Sequence, residues 1–315
     1  MSDEARQSFA CFGGTVAVHV AGPASDGTSA VEAALRARAR LEEIQRRLTR
    51  FDPASELSRL NADPEPVVPA SPLLRWLARA TVRAGELSGG LVDATQLDAI
   101  ERAGYRDSLR DREPLPLATT LSIQSPRRPG GASAQRDWAR IRVDDPAGTI
   151  ARPPGLRIDG GGLAKGMAAD LIASSLRGHD NFAVDCCGDI RLGGRAALRR
   201  LIRVSDPFGP EPARTLALKR GAIATSGIGG RAWNARGGAA HHLIDPASGR
   251  PAFTGLVQAT ALAPTALLAE IRAKAALLAG SAAAARWLPD GGVIVAEDGG
   301  VERVGNQGGA AAAAA

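Results

Sequence analysis

The sequence predicts an α+β fold, with antiparallel and mixed sheets against packed helices. Three observations carry this. Residues 12–20, Phe-Gly-Gly-Thr-Val-Ala-Val-His-Val, alternate at the two-residue period of a strand. From Ser29 to about Arg50, alanine, leucine and isoleucine recur at helical spacing with arginine and glutamate between them. Several strands then follow one another between Ile190 and Thr225, so strands come in clusters instead of alternating one by one with helices.

In chain order, the strand at 12–20 leads to the helix at 29–50, and Pro72 to Leu87 forms a second helix closed by Ser88-Gly89-Gly90. Gln96 to Ala103 is a short third helix. Residues 107–135, rich in Pro, Arg, Ser and Gly, read as a long loop. Trp138–Val143 and Leu156–Ile158 read as short strands, Ala164–Leu176 as a helix launched from a triple glycine, and Phe182–Val184 as a returning strand. Residues 256–263 form a strand and 264–280 a helix opened by Pro264. No internal repeat appears. These elements give one domain over 1–306, with 307–315 a disordered Gly/Ala tail.

Composition narrows the function. The 315 residues can bury a large core, and no apolar run approaches the roughly 18 residues of a spanning helix. The polar start Met1–Arg6, with no apolar core before Cys11, predicts neither a signal peptide nor a lipoprotein anchor, hence a cytoplasmic protein. Three cysteines, two of them adjacent, make no disulfide framework. The net charge of +6 is scattered and aromatics are scarce, which fits a basic pocket for a small anion and not a nucleic-acid surface.

Only three of the 39 basic residues are lysines, Lys165, Lys219 and Lys274. Lys165 follows Asp159-Gly160-Gly161-Gly162-Leu163-Ala164, where a strand, a glycine turn and a helix bring backbone close to a ligand. It is not a P-loop, since Ala164 precedes the lysine and Gly166 follows it. A packing turn is an equal reading. Glu270 and Lys274 lie four apart on the helix whose apolar arc holds Leu267, Ile271 and Leu278. Charges inside such an arc need a partner, a ligand or a metal. His241-His242 runs into Asp245-Pro246-Ala247-Ser248-Gly249, a loop position suited to a general base. Asp93, after Gly89-Gly90-Leu91-Val92, reads equally as a ligand acceptor and as a helix cap.

Taken together and in order, these segments resemble the FAD:protein FMN transferases, the ApbE family. The resemblance runs through Phe12-Gly13-Gly14-Thr15, Phe51–Asn61, Gly90–Asp93, Asp159–Gly166, Gly188-Asp189-Ile190-Arg191, Ala224–Gly227 and His242–Gly249. It implies an FAD cleft between two intimately joined subdomains. It also implies transfer of FMN from FAD, with a divalent metal, usually magnesium, at the pyrophosphate. The receiver would be a Ser or Thr in an acceptor protein carrying an Asp-x-x-[Ser/Thr]-Gly-Ala-Thr type of motif, and AMP would leave. Residue by residue, Phe51 matches an aromatic against the isoalloxazine, and Leu91, Val92 and Asp93 match a flavin-lining segment. Phe12, in the matched Phe12-Gly13-Gly14-Thr15 segment, is implied to bind the cofactor. Asp159 and Lys165 match FAD-binding positions, Gly162 a carbonyl ligand to metal, His242 the base for the acceptor hydroxyl, and Leu243 a flavin neighbour.

The chain departs from the family at the metal. The usual helix carries Asp-Ala-x-Ala-Thr, whereas here those two ligand positions are Glu270 and Lys274. Either Lys274 takes the metal's place and neutralises the pyrophosphate, held by Glu270, or Glu270 still ligates magnesium with Lys274 swung to the phosphates. Loss of the threonine oxygen favours the first. Cys187 also stands where glycine is usual, and Asp98 where proline is common. Two other functions stay open at this point: an FAD-binding protein without transfer, and an FAD pyrophosphatase giving FMN and AMP.

Overall fold

Small and branched residues from 4 to 21 form a hairpin whose Val16, Val18 and Val20 turn to one side and are fully buried. It is the edge of an eight-stranded sheet. The computed structural model describes residues 4–109, 112–122, 126–196, 198–235 and 238–305; the expected tail at 307–315 lies outside them. The sheet strands are β1 (Glu4–Cys11), β2 (Gly14–Ala21), β3 (Asn181–Cys186), β4 (Asp189–Gly193), β5 (Gly221–Gly227), β6 (Leu256–Ala263), β7 (Gly292–Ala296) and β8 (Val301–Val304). Their order in space is their order in the chain, and every neighbouring pair is antiparallel.

Helices α1 (Ala30–Leu48), α3 (Ala164–Ser175) and α4 (Ala266–Ala279) pack on this sheet; α2 (Pro72–Ser88) packs outside α3 and α4. The helix α1 begins where the Ser29 side chain accepts from the Glu32 N–H, and it buries Ala33, Ala34, Ala37, Leu41, Ile44 and Leu48 at three- and four-residue spacing. Its outer face is laced by pairs such as Arg36–Glu32 and Arg38–Glu42. No helix among the described residues is long and apolar enough to cross a membrane.

Two tight turns lie together at one end of the sheet. Between β1 and β2, Phe12 and Gly13 both have positive φ, 54° and 75°. Between β3 and β4, Cys187 and Gly188 repeat this at 58° and 91°. These are two-residue hairpin turns, which require the left-handed conformation at both central positions. Cys187 therefore stands at a position that favours glycine for steric reasons, and its Sγ lies 3.3 Å from the Cys11 carbonyl oxygen, tying the two turns together.

Four local expectations are overturned. The start of the chain, where Met1–Arg6 read only as a polar segment, carries a full strand at Glu4–Cys11. Trp138 belongs to a 3₁₀ turn, Asp137–Arg140, and only Arg142–Asp144 is extended. Leu156–Ile158 is not a strand, because the Asn61 side chain takes both backbone groups of Ile158 at 2.8 Å, in place of a partner strand. The 107–135 segment carries a helical turn at Leu117–Leu121.

The helices α3 and α4 cap each other. Asp170 of α3 accepts from the N–H groups of Ala266 and Leu267 at 2.8 and 2.9 Å, which are otherwise unpaired donors at the start of α4. Glu270 of α4 accepts from the Gly166 N–H at 2.9 Å in the first turn of α3. The contact needs glycine: a Cβ at Gly166 would lie 2.7 Å from the Ala266 carbonyl oxygen. Gly166→Ala is expected to push the helices apart and cost about 1–3 kcal/mol, read from urea unfolding; an unchanged midpoint would mean the helix pair adjusts freely.

Candidate functional site

A cleft of about 1510 Å³ opens where the two hairpin turns, the glycine turn at 160–162 and the first turns of α3 meet. Of the twelve positions singled out from the sequence, eleven line it: Phe12, Phe51, Leu91, Val92, Asp93, Asp159, Gly162, Lys165, His242, Leu243 and Lys274. Glu270 does not. It lies behind Lys274, 1 % exposed.

One end is aromatic. Phe51 and Tyr105 have ring centroids 5.6 Å apart, and Tyr105 and Trp233 5.3 Å. The Arg50 guanidinium lies 4.2 Å from the Phe51 centroid and 4.5 Å from that of Tyr105. Its Nη2 donates to the Tyr105 carbonyl at 2.7 Å, and its Nε is 3.5 Å from Asp159 Oδ1. Arg50 thus joins the aromatic wall to the glycine turn. Asp159 in turn accepts from the Gly161 N–H at 3.1 Å, fixing that turn. Leu91 and Val92 are buried beside it. Asp93 is not a helix cap: its Oδ1 accepts from the Thr95 N–H and hydroxyl at 2.8 and 2.6 Å and shapes the turn before Leu97–Arg102.

The other end is ionic. Lys165 is paired with Asp189 and lies 3.7 Å from Glu270 Oε1. Burial opposes its charge, but the two carboxylates outweigh burial and hold Lys165 protonated well above the usual lysine range. Burial pushes the Asp189 carboxyl up, to about 7, against the pull of Lys165 and Lys274. Lys274 Nζ donates to Glu270 Oε1 at 3.0 Å. Burial would raise the Glu270 carboxyl; Lys274 and Lys165, with the Gly166 N–H, hold it below the usual range instead.

His242 also lines the cleft, and its buried Nδ1 has no hydrogen-bond partner among the described residues. Burial, then the charge of Arg231, with smaller effects of His241 and Lys274, pushes its pKa well below the ordinary histidine value. The imidazole is neutral at physiological pH, the form a general base needs. His241 points elsewhere: fully buried, it accepts from the Leu243 N–H at 3.3 Å and meets the Phe253 ring edge-on at 4.8 Å.

Sequence reasoning missed Arg50, Tyr105, Asp189, Arg231 and Trp233. Asp189 was in reach, inside the Gly188-Asp189 segment. The two arginines carried no signal in a chain where nearly every basic residue is arginine, and the aromatics meet only through the fold.

The model of the ApbE family matches residues 12–295. The chain is 31 % identical over 45 % of its length to an FAD:protein FMN transferase of Treponema pallidum, of which it covers 43 %. It is 27 % identical over 73 % of its length to one of Vibrio cholerae, covering 68 % of that protein. It also resembles the solved ApbE protein of Thermotoga maritima, with a TM-score of 0.77 and 26 % identity over 96 % of this chain and 97 % of that one.

The buried histidine beside the site has a consequence for acid stability. Burial lowers the His241 pKa to about 4, whereas an unfolded histidine titrates near 6.5. Its folded value is depressed, so protonation favours unfolding: stability is intact above pH ~6.5 and is lost as pH falls towards the folded value. The interval corresponds to roughly 3 kcal/mol. The melting temperature is expected to drop between pH 7 and 4.5, and less steeply in His241→Asn; parallel slopes would exclude this histidine as the cause.

Proposed function

Because the chain belongs to the ApbE family, we propose that it transfers FMN from FAD to a Ser or Thr hydroxyl of an acceptor protein and releases AMP. The observation that carries this reading is His242: a neutral imidazole with an unpartnered, buried Nδ1, in one cleft with an aromatic wall and two half-buried lysines. Such an arrangement suits a substrate with a planar ring at one end and a diphosphate at the other.

The isoalloxazine lies against Phe51, with Leu91, Val92, Asp93, Leu243 and Phe12 around it. The pyrophosphate lies over the glycine turn, with Asp159 holding the turn and Lys165 beside it. The imidazole takes the acceptor hydroxyl's proton. The hydroxyl oxygen then bonds to the FMN phosphorus, and the bond to the adenylate breaks with its electron pair leaving on AMP. Positioning and neutralised phosphate charge supply most of the acceleration in such a step.

A divalent cation does not fit this donor set. Both Glu270 oxygens are engaged, one by the Gly166 N–H and one by the Lys274 ammonium, and an ammonium cannot ligate a cation. At Gly162, the other proposed ligand, a Cβ would lie 3.3 Å from Lys274 Cε, so the lysine stem occupies the space beside it. Among the described residues no cluster of three or more His, Cys, Asp or Glu side chains could hold a metal. Lys274 therefore takes the role of neutralising the pyrophosphate, with Glu270 holding it in place.

The test is the intact mass of a carrier domain bearing the Asp-x-x-Ser/Thr-Gly-Ala-Thr type of motif, after incubation with this protein and FAD. A gain of one FMN with release of AMP is expected, and it should persist in EDTA. Free FMN and AMP with an unmodified carrier would make the protein a pyrophosphatase; bound, intact FAD would make it a binding protein. His242→Ala is expected to keep FAD affinity and lose about 10²–10⁴-fold in turnover. Lys274→Ala should lose turnover in EDTA as well as in magnesium; rescue of that variant by magnesium would return the role to a metal.

A further inference from the structure

We infer that Arg231 is a substrate-contacting residue of this site, its guanidinium binding the pyrophosphate oxygens of FAD next to His242. The inference rests on the flavin-transfer reading above, and it stands on four observations.

Arg231 lines the cleft and is half-buried, at the end of the segment Gly229-Gly230 that leads to the strand Ala232–Ala235. Second, it differs from the other cations of this ionic end. Lys165 has Asp189 and Lys274 has Glu270, whereas Arg231 makes no ion pair with any carboxylate among the described residues. A half-buried charge without a counter-charge is costly unless a ligand supplies one.

Third, the guanidinium is held at one edge only. Its Nη2 donates to the Phe12 carbonyl at 3.3 Å, and the same nitrogen is 3.3 Å from where a Cβ on Gly13 would lie. That hairpin turn fixes the fork and leaves its remaining donors free. Arginine has five N–H donors in a planar array suited to two phosphate oxygens at once.

The fourth observation is electrostatic position. The charge of Arg231 acts on His242, on Lys165 and on Cys187, so it stands among them and not at the rim. Asp189 and Glu270 face Lys165 and Lys274, and Asp185 also lines the cleft; Arg231 adds to this end a positive charge with no carboxylate paired to it among the described residues. The groups whose charge acts on His242 are Arg231, Lys274 and His241. An arginine there has two consequences for one step: it neutralises charge on the phosphates under attack, and it disfavours the imidazolium before the proton is taken.

The test compares FAD with riboflavin, which has the ring and no phosphate. Arg231→Gln is expected to weaken FAD binding at least 10-fold, by calorimetry or flavin fluorescence, and to leave riboflavin affinity unchanged. In the transfer assay it should lower kcat/KM for FAD by about 10²–10³-fold, as removal of one donor to developing charge does. The acidic limb of its pH profile should move to higher pH, as His242 loses a neighbouring positive charge. Arg231→Lys, which keeps charge without the fork, should recover the pH profile and part of the rate. Equal weakening of both ligands would mean a structural role, and unchanged FAD affinity with an unchanged pH profile would mean no role; either overturns the inference. A wild-type protein that binds FAD without transferring it would sink the transfer reading alone, because the binding comparison still decides the arginine.

Discussion

The Glu270 carboxylate is the interaction on which the rest of the site depends. A buried carboxylate is tolerable only if its lone pairs are satisfied and its charge is opposed. Glu270 meets both conditions with the Gly166 N–H, the Lys274 ammonium at 3.0 Å and Lys165 at 3.7 Å. One side chain therefore closes the start of α3, favourable also for the helix dipole, and sets the positions of two lysines. Asp170 closes the start of α4 from the other side. The helix pair is locked by polar contacts of defined geometry where an apolar seam would allow sliding. The glycine turn ahead of α3 inherits that fixed position.

Backbone strain builds the opposite wall. Phe12 and Cys187 both adopt positive φ without being glycine. Each such residue costs of order 1 kcal/mol or more relative to glycine. The hairpin geometry over-determines them: strand pairing closes both sides of each turn, from Cys11↔Gly14 and from Cys186↔Asp189. Cys187 then offers its thiol to the Cys11 carbonyl, an attachment that glycine lacks. The thiol is held protonated, since burial raises its pKa to about 11, and so it serves as a packing group and not a nucleophile.

How far the sequence spoke for itself depends on the range of each signal. Helices α1, α2 and α4 and strand β6 were legible because their periodicity is local and their caps, Ser29, Ser71 and Thr265, sit where a sequence reader looks. The strand expected at Leu156–Ile158 failed because its partner is a side chain, Asn61, 97 positions away in the chain. The strand β1 was missed because alternation in Glu-Ala-Arg-Gln-Ser-Phe-Ala-Cys is weak on an edge with one face in solvent. Within the site, the lysines were conspicuous by rarity and Glu270 by its spacing from Lys274, whereas Asp189, the partner of Lys165, was passed over. Arg50 and Arg231 were invisible, since what distinguishes them is the company they keep in space.

That contrast between lysine and arginine bears on the chemistry. In a chain so biased to arginine, the two lysines of the cleft occupy places where a compact ammonium is set against a buried carboxylate. Of the arginines that line the cleft, Arg50 and Arg231 are anchored by backbone carbonyls, Arg50 on Tyr105 and Arg231 on Phe12, and keep broad flat faces or free donors for other partners. Paired lysines thus shape the pocket with little net charge, while Arg231 adds a positive charge that no carboxylate among the described residues pairs with. The sign matters because the base must be neutral and the ligand anionic. In the proposed reaction the charge of Arg231 answers both demands: it would attract the phosphates, and it disfavours protonation of His242. In the proposed reaction the Glu270–Lys274 pair of α4 supplies by side-chain charge what a metal would supply, and with the other cationic side chains around the glycine turn it forms one arrangement.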